Sequence, residues 1–235
     1  MRRSEIDCRT IPRDRLMVAL AFGQSNSANY GNRRLTAQKT VYNFHAGKCY
    51  RAVDPLLGAD GNGGSVWTRL GNRIVQQKLY DRVLFTSIGV GGTEIQRWAP
   101  AGDLHPRITT AIQQLKAAGF NITHLLWHQG ETDAEIGTPK EVYQQRFMAM
   151  LERIRVAGVQ APVYVSVTSR CGDRPPQPAI QQAQRELVNP AQGILLGPNT
   201  DELGDADRYD RCHFSASGLN KAADLWLQAL MHQPQ

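Results

Sequence analysis

The sequence predicts one α/β domain of three layers, with a mostly parallel, five-stranded sheet between two layers of helices. Five short apolar runs with the character of buried strands alternate with segments of helical periodicity along the 235 residues. Strands that alternate with helices form parallel sheets with helices on both faces. The length fits a single large domain, residues 1–235, and no internal repeat or low-complexity stretch divides it.

The amino-terminal part of the chain supplies one strand and one long loop. Residues 1–15 are charged and show no periodicity, which predicts an extended lead-in. Residues 16–22 are all apolar, as is typical of a strand buried on both faces. Residues 32–65 are rich in Gly, Asn and Asp and predict a long loop. Loops of that length in compact domains are usually functional, so we expect this one to have a role.

The rest of the chain alternates regularly between helices and strands. Helix starts are marked by capping residues, such as Ser65 and the run Thr138-Pro139-Lys140-Glu141. The predicted helices cover about residues 65–78, 104–118, 138–154 and 178–187, with a last helix after residue 214, and the later strands cover residues 82–87, 122–127, 162–168 and 193–196.

Composition excludes two classes of partner. The net charge of +6 comes mostly from scattered arginines, and no basic run is interleaved with aromatic residues as in a nucleic-acid-binding surface. No apolar run approaches the eighteen or so residues of a membrane span. The sequence does not determine the oligomeric state.

A candidate nucleophile follows the first strand. Gly23-Gln24-Ser25-Asn26 comes directly after it, where α/β sheets place their ligands. The Ser25 hydroxyl can attack, while its own backbone N–H stabilises the resulting oxyanion. The alternative is a simple polar turn, because Gly, Ser and Asn are ordinary turn residues.

Three later stretches favour the catalytic interpretation: residues 89–98, 127–133 and 210–214. Each follows or flanks a strand, so the sheet edge brings them near Ser25. His213 is the candidate base that a serine nucleophile needs, and Asp210 lies three residues before it. The N–H of Gly91 or Gly92 and the side-chain amide of Gln129 complete a predicted oxyanion hole.

These four stretches resemble the sequence blocks of the SGNH hydrolase superfamily. The similarity is greatest to its sialate O-acetylesterase-like branch, which includes carbohydrate acetylesterases of the acetylxylan esterase type. The matching motifs are Gly23-Gln24-Ser25-Asn26, Gly91-Gly92-Thr93 through Trp98, His128-Gln129-Gly130-Glu131 with Asp133, and Asp210-Arg211-Cys212-His213-Phe214. The resemblance implies a flavodoxin-like SGNH fold and removal of acetyl groups from an acetylated carbohydrate, with no metal and no cofactor.

Several roles stay open at the level of sequence. The acid partner of His213 is Asp210, as in most of the superfamily, or Glu131, as in some carbohydrate esterases of this type. We assign substrate contacts to five residues of the matching blocks, with a core position for the tryptophan and a solvated position for the arginine as alternatives. These five residues are Gln24, Asn26, Thr93, Arg97 and Trp98.

Other functions are compatible with the same residues. A lipase or thioesterase of this superfamily would need an apolar acyl pocket, and the polar loop at residues 32–65 disfavours it. A carbohydrate-binding protein without activity would not need the complete set of serine, histidine, acid and amide. An acetyltransferase using the same acyl-enzyme differs only in its acceptor.

Four cysteines permit two disulfides in three pairings, or four reduced buried thiols. Cys171 follows the fourth predicted strand and Cys212 precedes His213, so both lie at the catalytic edge of the sheet and we predict a bond between them. Cys8 and Cys49 then form the second pair. Two such bonds persist only in an oxidising compartment, which predicts a secreted or periplasmic protein.

Overall fold

The computed structural model describes residues 3–232 and contains one eight-stranded sheet. The strands are β1 (Glu5–Ile6), β2 (Leu16–Gly23), β3 (Val41–His45), β4 (Lys48–Arg51), β5 (Arg82–Ser87), β6 (His124–His128), β7 (Val163–Val167) and β8 (Ile194–Asn199). Their order across the sheet is β1-β4-β3-β5-β2-β6-β7-β8. The pairs from β3 to β8 are parallel, whereas β4 pairs antiparallel with both of its neighbours.

Helices cover both faces of this sheet. They are α1 (Val66–Gln76), α2 (Ile95–Trp98), α3 (His105–Ala117), α4 (Glu131–Ile136), α5 (Lys140–Val156), α6 (Pro178–Glu186) and α7 (Ala216–Met231). One apolar cluster joins the sheet to α1 and α7, and a second joins it to α3, α5 and α6. The predicted three-layer α/β architecture is therefore confirmed. Between residues 3 and 232, no helix is long and apolar enough to cross a membrane.

The prediction of five strands is wrong, because the sheet has three more. The five predicted strands are β2, β5, β6, β7 and β8, and they are adjacent in the sheet. The additional strands come from segments predicted to be a lead-in and a loop.

The strands β3 and β4 form a hairpin inside the predicted loop. Its turn residues, Ala46 and Gly47, both have positive φ, as a tight hairpin turn requires. Asn43 occupies the middle of β3, where a polar residue argues against a buried strand. Its side-chain amide is satisfied there by backbone groups of Leu57 and Phe85. This compensation depends on distant residues, so the local pattern does not reveal it.

A close approach between β2 and β6 sets the position of the candidate nucleophile. Gly23, the last residue of β2, has a φ of 130°, and a Cβ atom there would lie 2.1 Å from the carbonyl oxygen of His128. The next residue, Gln24, donates its backbone N–H to that same oxygen at 3.0 Å. Only glycine fits this junction, and the chain turns there onto the carboxyl edge of the sheet.

Both predicted disulfides are present. Cys8 is bonded to Cys49 and Cys171 to Cys212, and each pair is separated by 41 positions in sequence. The first bond attaches the segment around β1 to β4. The second attaches the loop after β7 to the residue before His213.

Candidate active site

A cleft of about 220 Å³ lies at the carboxyl edge of β2, β5 and β6. It brings together parts of all four blocks that the sequence singled out. Its lining consists of Gln24, Ser25, Tyr30, Gly91, Gly92, Glu131, Thr132, Glu135, Cys171, Cys212 and His213.

Ser25 begins a single turn of 3-10 helix, Ser25–Ser27, directly above β2. The indole of Trp67 holds this turn by donating to the Ser27 carbonyl at 2.7 Å. Within residues 3–232, neither the backbone N–H of Ser25 nor that of Gly92 has an acceptor, whereas the Gly91 N–H donates to Asp60 at 3.3 Å. Of the two glycines that the sequence offered, Gly92 therefore has the free donor.

His213 and Asp210 form a short-range pair. The His213 Nδ1 atom lies 2.6 Å from Asp210 Oδ2, and the backbone N–H groups of Cys212 and His213 donate to Asp210 Oδ1 at 3.0 and 2.7 Å. Partial burial by itself would raise the pKa of Asp210, but these hydrogen bonds to its charged form outweigh burial and lower it. An ionised Asp210 fixes the imidazole and leaves its Nε2 atom for chemistry.

Two tyrosines pack against the His213 ring. Tyr30 stacks at 5.1 Å and Tyr209 at 6.1 Å between ring centroids. The Tyr30 hydroxyl donates to Asp60 at 2.7 Å, and the Tyr209 hydroxyl donates to the Tyr30 carbonyl at 3.0 Å. The imidazole is thus oriented from its edge by Asp210 and on its faces by rings that are themselves tethered.

Glu131, the alternative acid, is engaged elsewhere. Its Oε1 atom accepts from the Asn26 side-chain amide at 2.9 Å, and no hydrogen bond joins it to His213 in the described part of the chain. The carboxylate is almost fully buried, and burial raises its pKa. Asn26 also donates to the carbonyl of Cys212 at 3.2 Å, so it connects the serine segment to the histidine segment.

The geometry of Gln129 does not match the predicted oxyanion role. This residue is fully buried and does not line the cleft. Its amide nitrogen lies 2.9 Å from the Thr93 carbonyl, 2.6 Å from Asp133 and 3.3 Å from the Gln24 side-chain oxygen, so its two hydrogens are shared among three acceptors. Gln129 therefore serves as a buried connection between loops.

Gln24, unlike Gln129, lines the cleft together with Ser25. Its side-chain oxygen accepts from the backbone N–H groups of Thr132 at 3.1 Å and Gly130 at 3.4 Å, and from the Gln129 amide at 3.3 Å. Gln24 lines the cleft, and its side-chain amide nitrogen has no hydrogen-bond acceptor among residues 3–232. Gln24 therefore stays a predicted substrate contact, and the atom that it offers to a ligand is its amide nitrogen, a hydrogen-bond donor.

Three other predicted substrate contacts lie outside the cleft, and so does Asn26. Trp98 is fully buried in the core beside Phe22 and donates its indole N–H to Thr93 at 3.0 Å. Thr93 is buried as well. Arg97 pairs with Asp103, with nitrogen–oxygen distances of 2.9 and 2.7 Å. The loop folds back as the short helix α2, and this turns these side chains away from Ser25.

The sequence did not predict a role for some of the residues that line the cleft. Tyr30, Thr132 and Glu135 line the cleft, and Asp60 holds Tyr30. Asp60 begins the run Asp-Gly-Asn-Gly-Gly, which the sequence marks only as a turn. The long loop itself was the available signal, since its length predicted a function.

Metal-binding side chains are dispersed. Across residues 3–232, no three His, Cys, Asp or Glu side chains are grouped so that they could hold a metal ion. His128 is enclosed in the core, with Nε2 3.2 Å from the Thr200 hydroxyl, and burial lowers its pKa to about 3.

The three-layer α/β fold, with its mostly parallel central sheet, is the fold of GDSL/SGNH-like proteins of solved structure. The family model for carbohydrate esterases described as sialic acid-specific acetylesterases matches residues 15–232, nearly the whole chain. The chain belongs to this family and is a carbohydrate O-acetylesterase. No curated protein matches it in sequence.

Solved structures agree on the fold. A protein from Arabidopsis thaliana is similar with a TM-score of 0.75 at 16% identity, covering 92% of this chain and 98% of that one. A variant of an acetyl-xylooligosaccharide esterase from Geobacillus has a TM-score of 0.60 at 12% identity, with 92% and 95% covered. A carbohydrate acetylesterase from Xanthomonas citri has a TM-score of 0.56 at 16% identity, with 92% and 56% covered.

Proposed function

We propose that the chain removes O-acetyl groups from carbohydrate through an acetyl-enzyme on Ser25. One observation carries the proposal: Ser25 and His213 line one cleft, and His213 Nδ1 is held 2.6 Å from Asp210. A serine needs a base to become a nucleophile, and a base needs a third group to fix its tautomer. His213 and Asp210 are the candidates for these two groups.

The reaction proceeds in two halves. Ser25 Oγ attacks the acetyl carbonyl carbon while His213 Nε2 takes the hydroxyl proton, and the proton then passes to the departing sugar oxygen as its bond to the acetyl carbon breaks. In the second half, water gives a proton to His213 and attacks the acetyl-serine, and His213 then returns that proton to Ser25 Oγ as the bond between Oγ and the acetyl carbon breaks. The products are acetate, the free sugar hydroxyl and regenerated Ser25.

Three donors are available for the tetrahedral oxyanion: the backbone N–H groups of Ser25 and Gly92 and the amide nitrogen of Gln24. Ser25, Gly92 and Gln24 all line the cleft, and the Gln24 side-chain oxygen accepts from the backbone N–H groups of Gly130 and Thr132. Donors fixed before the reaction stabilise developing charge without reorganisation, and each contributes a factor on the order of 10² to 10³ in kcat.

The lining favours a small acyl group. The volume of the cleft is about 220 Å³, below the roughly 300 to 1,000 Å³ of pockets that hold drug-sized ligands. An acetyl group needs little space, whereas a fatty acyl chain needs a longer cavity. The lipase or thioesterase alternative is therefore disfavoured. The two disulfides also support an oxidising compartment, either outside the cell or in a periplasm.

Acetate release from acetylated xylan, acetylated sialic acid and an aryl acetate tests the proposal. The Ser25→Ala variant should lose release from every substrate, and mass spectrometry of briefly reacted wild type should find an acetyl group on Ser25. Ser27→Ala is the matched control, because Ser27 lies in the same turn but outside the cleft. Turnover by a folded Ser25→Ala protein would refute the mechanism.

A further inference from the structure

The catalytic cleft continues into two further clefts. Tyr30 lines both the catalytic cleft and a second cleft of about 440 Å³. The second cleft shares Arg34 and Asn62 with a third cleft of about 520 Å³. The shared lining residues show that the three clefts lie next to one another, in a row from His213 to Arg34 and beyond, and we call this row of clefts the loop groove.

The floor of the loop groove is built of backbone held in place. Gly31 and Gly64 exchange two hydrogen bonds, and the Gly63 N–H donates to the Asn29 carbonyl at 2.6 Å. A Cβ atom on Gly63 would lie 2.1 Å from the Gly31 carbonyl oxygen, so only glycine lets the two segments approach this closely. This long loop, whose length predicted a function, is thus an ordered surface.

The walls carry the side chains that carbohydrate binding uses. Tyr209 is half exposed, and its hydroxyl is fixed by the Tyr30 carbonyl, so its ring forms a rigid wall at the catalytic end. Asn32 and Asn62 supply amides along the second cleft. Rigid aromatic faces and amides contact sugar faces and hydroxyls at little cost in conformational entropy.

The far end is positively charged. Arg34 and Arg3 both line the third cleft, and the Arg34 Nε atom donates to the Asn62 carbonyl at 2.7 Å, which leaves its outer nitrogens for a ligand. The carboxylate in that lining, Asp54, is almost fully buried and paired with Arg69 at 3.3 Å. The accessible charge of this end is therefore positive, and a guanidinium recognises carboxylates by paired hydrogen bonds.

We propose that the loop groove binds an oligosaccharide chain carrying carboxylates, with the acetylated sugar in the catalytic cleft and an acidic sugar farther along against Arg34. This inference rests on the proposed function, because it places the acetylated sugar in the cleft that contains Ser25. It identifies the substrate as part of an acidic polysaccharide and assigns Arg34 to substrate selection.

Binding to the Ser25→Ala protein separates this inference from the mechanism. Isothermal titration with hexamers of galacturonic acid and of α-2,8-linked sialic acid should give saturable binding of at least one, and xylohexaose should bind more weakly. Arg34→Gln should raise the Kd of the acidic hexamer about tenfold or more, as expected for the loss of a charge-assisted hydrogen bond. Asn32→Asp should also weaken it, by charge repulsion.

Arg33→Gln is the matched control, because it removes the same charge from an exposed neighbour that lines none of the three clefts. It should leave the Kd of the acidic hexamer within about twofold. Equal weakening by the two arginine variants, or binding of neither acidic hexamer, would overturn the inference. Loss of turnover in Ser25→Ala with intact hexamer binding would uphold both proposals separately.

Discussion

The Asn26 side chain donates to Glu131 Oε1 at 2.9 Å, deep beside the cleft. The same nitrogen donates to the Cys212 carbonyl, one residue before His213. Segments from three parts of the chain are thereby held to one another by a single amide. Glu131 holds the site together through Asn26 and has no hydrogen bond to the imidazole in the described part of the chain.

This arrangement predicts unequal effects for the two candidate acids. Asp210→Asn should lower kcat by roughly 10²- to 10⁴-fold, because an amide donor facing Nδ1 imposes the wrong histidine tautomer. Glu131→Gln keeps the oxygen that accepts from Asn26, so kcat should fall less than about tenfold. Steady-state acetate release from both variants measures the difference, and a larger loss in Glu131→Gln would assign the acid role to Glu131.

The two glutamines should also separate kinetically. Gln24→Ala removes a fixed donor at the cleft and should lower kcat by roughly 10²- to 10³-fold with little change in KM. Gln129→Ala removes a buried connection, so its main effect should be a lower free energy of unfolding, by about 1 to 3 kcal/mol. Urea unfolding and initial rates on both variants measure this. A Gln129→Ala protein of normal stability with the larger kcat defect would reverse the assignment.

The two disulfides can be compared directly, because each joins cysteines that are 41 positions apart in sequence. Chain entropy predicts a loss of about 4 kcal/mol in unfolding free energy on removing either bond. Only the Cys171–Cys212 bond lines the cleft, so its double serine variant should also lose activity at temperatures where it stays folded. The variant lacking the Cys8–Cys49 bond should keep near-normal kcat. Equal activity of the two would contradict a positioning role for the first bond.

Stability should fall in mild acid because of buried imidazoles. Burial lowers the pKa of His124 to about 4 in the folded protein, whereas an unfolded histidine has a pKa of about 6.5. At pH values between these two pKa values, His124 is protonated in the unfolded chain but neutral in the folded protein. The free energy of unfolding therefore drops by up to about 1.4 kcal/mol for each unit by which the pH is lowered.

His124→Gln should therefore show a shallower decline than wild type when urea unfolding is compared from pH 7 to pH 4. His232→Gln, at an exposed position, is the control and should leave the slope unchanged. Parallel profiles for wild type and His124→Gln would refute the assignment.

The sequence predicted the parts of the fold that local patterns encode. Continuous apolar runs identified β2 and its parallel neighbours, and strand ends placed Ser25 and His213 at one edge. The hairpin of β3 and β4 was missed because Asn43 interrupts its apolar pattern and is satisfied by the Leu57 and Phe85 backbone. A partner so distant in sequence leaves no local trace.

The sequence predicted which residues lie near the candidate site better than it predicted what each residue does there. Tryptophan is a residue type that stacks on sugars, but Trp98 lies in α2 and packs against Phe22 and Trp127, at 6.3 and 5.9 Å between ring centroids. Gln24 and Gln129 carry the same chemical group directly after the neighbouring strands β2 and β6. Which of them faces the cleft depends on Asp133, which captures the Gln129 amide at 2.6 Å.

The strand β1 has a consequence for any shortening of the chain. Its two residues pair with β4 and cover the outer side of the hairpin, and the nearby Cys8 is bonded to Cys49. A protein beginning after Cys8 would present β4 as a bare sheet edge with an unpaired thiol on it. Exposed edges recruit other chains and free thiols cross-link them, so such a truncated form should aggregate even though every residue of the catalytic cleft is retained.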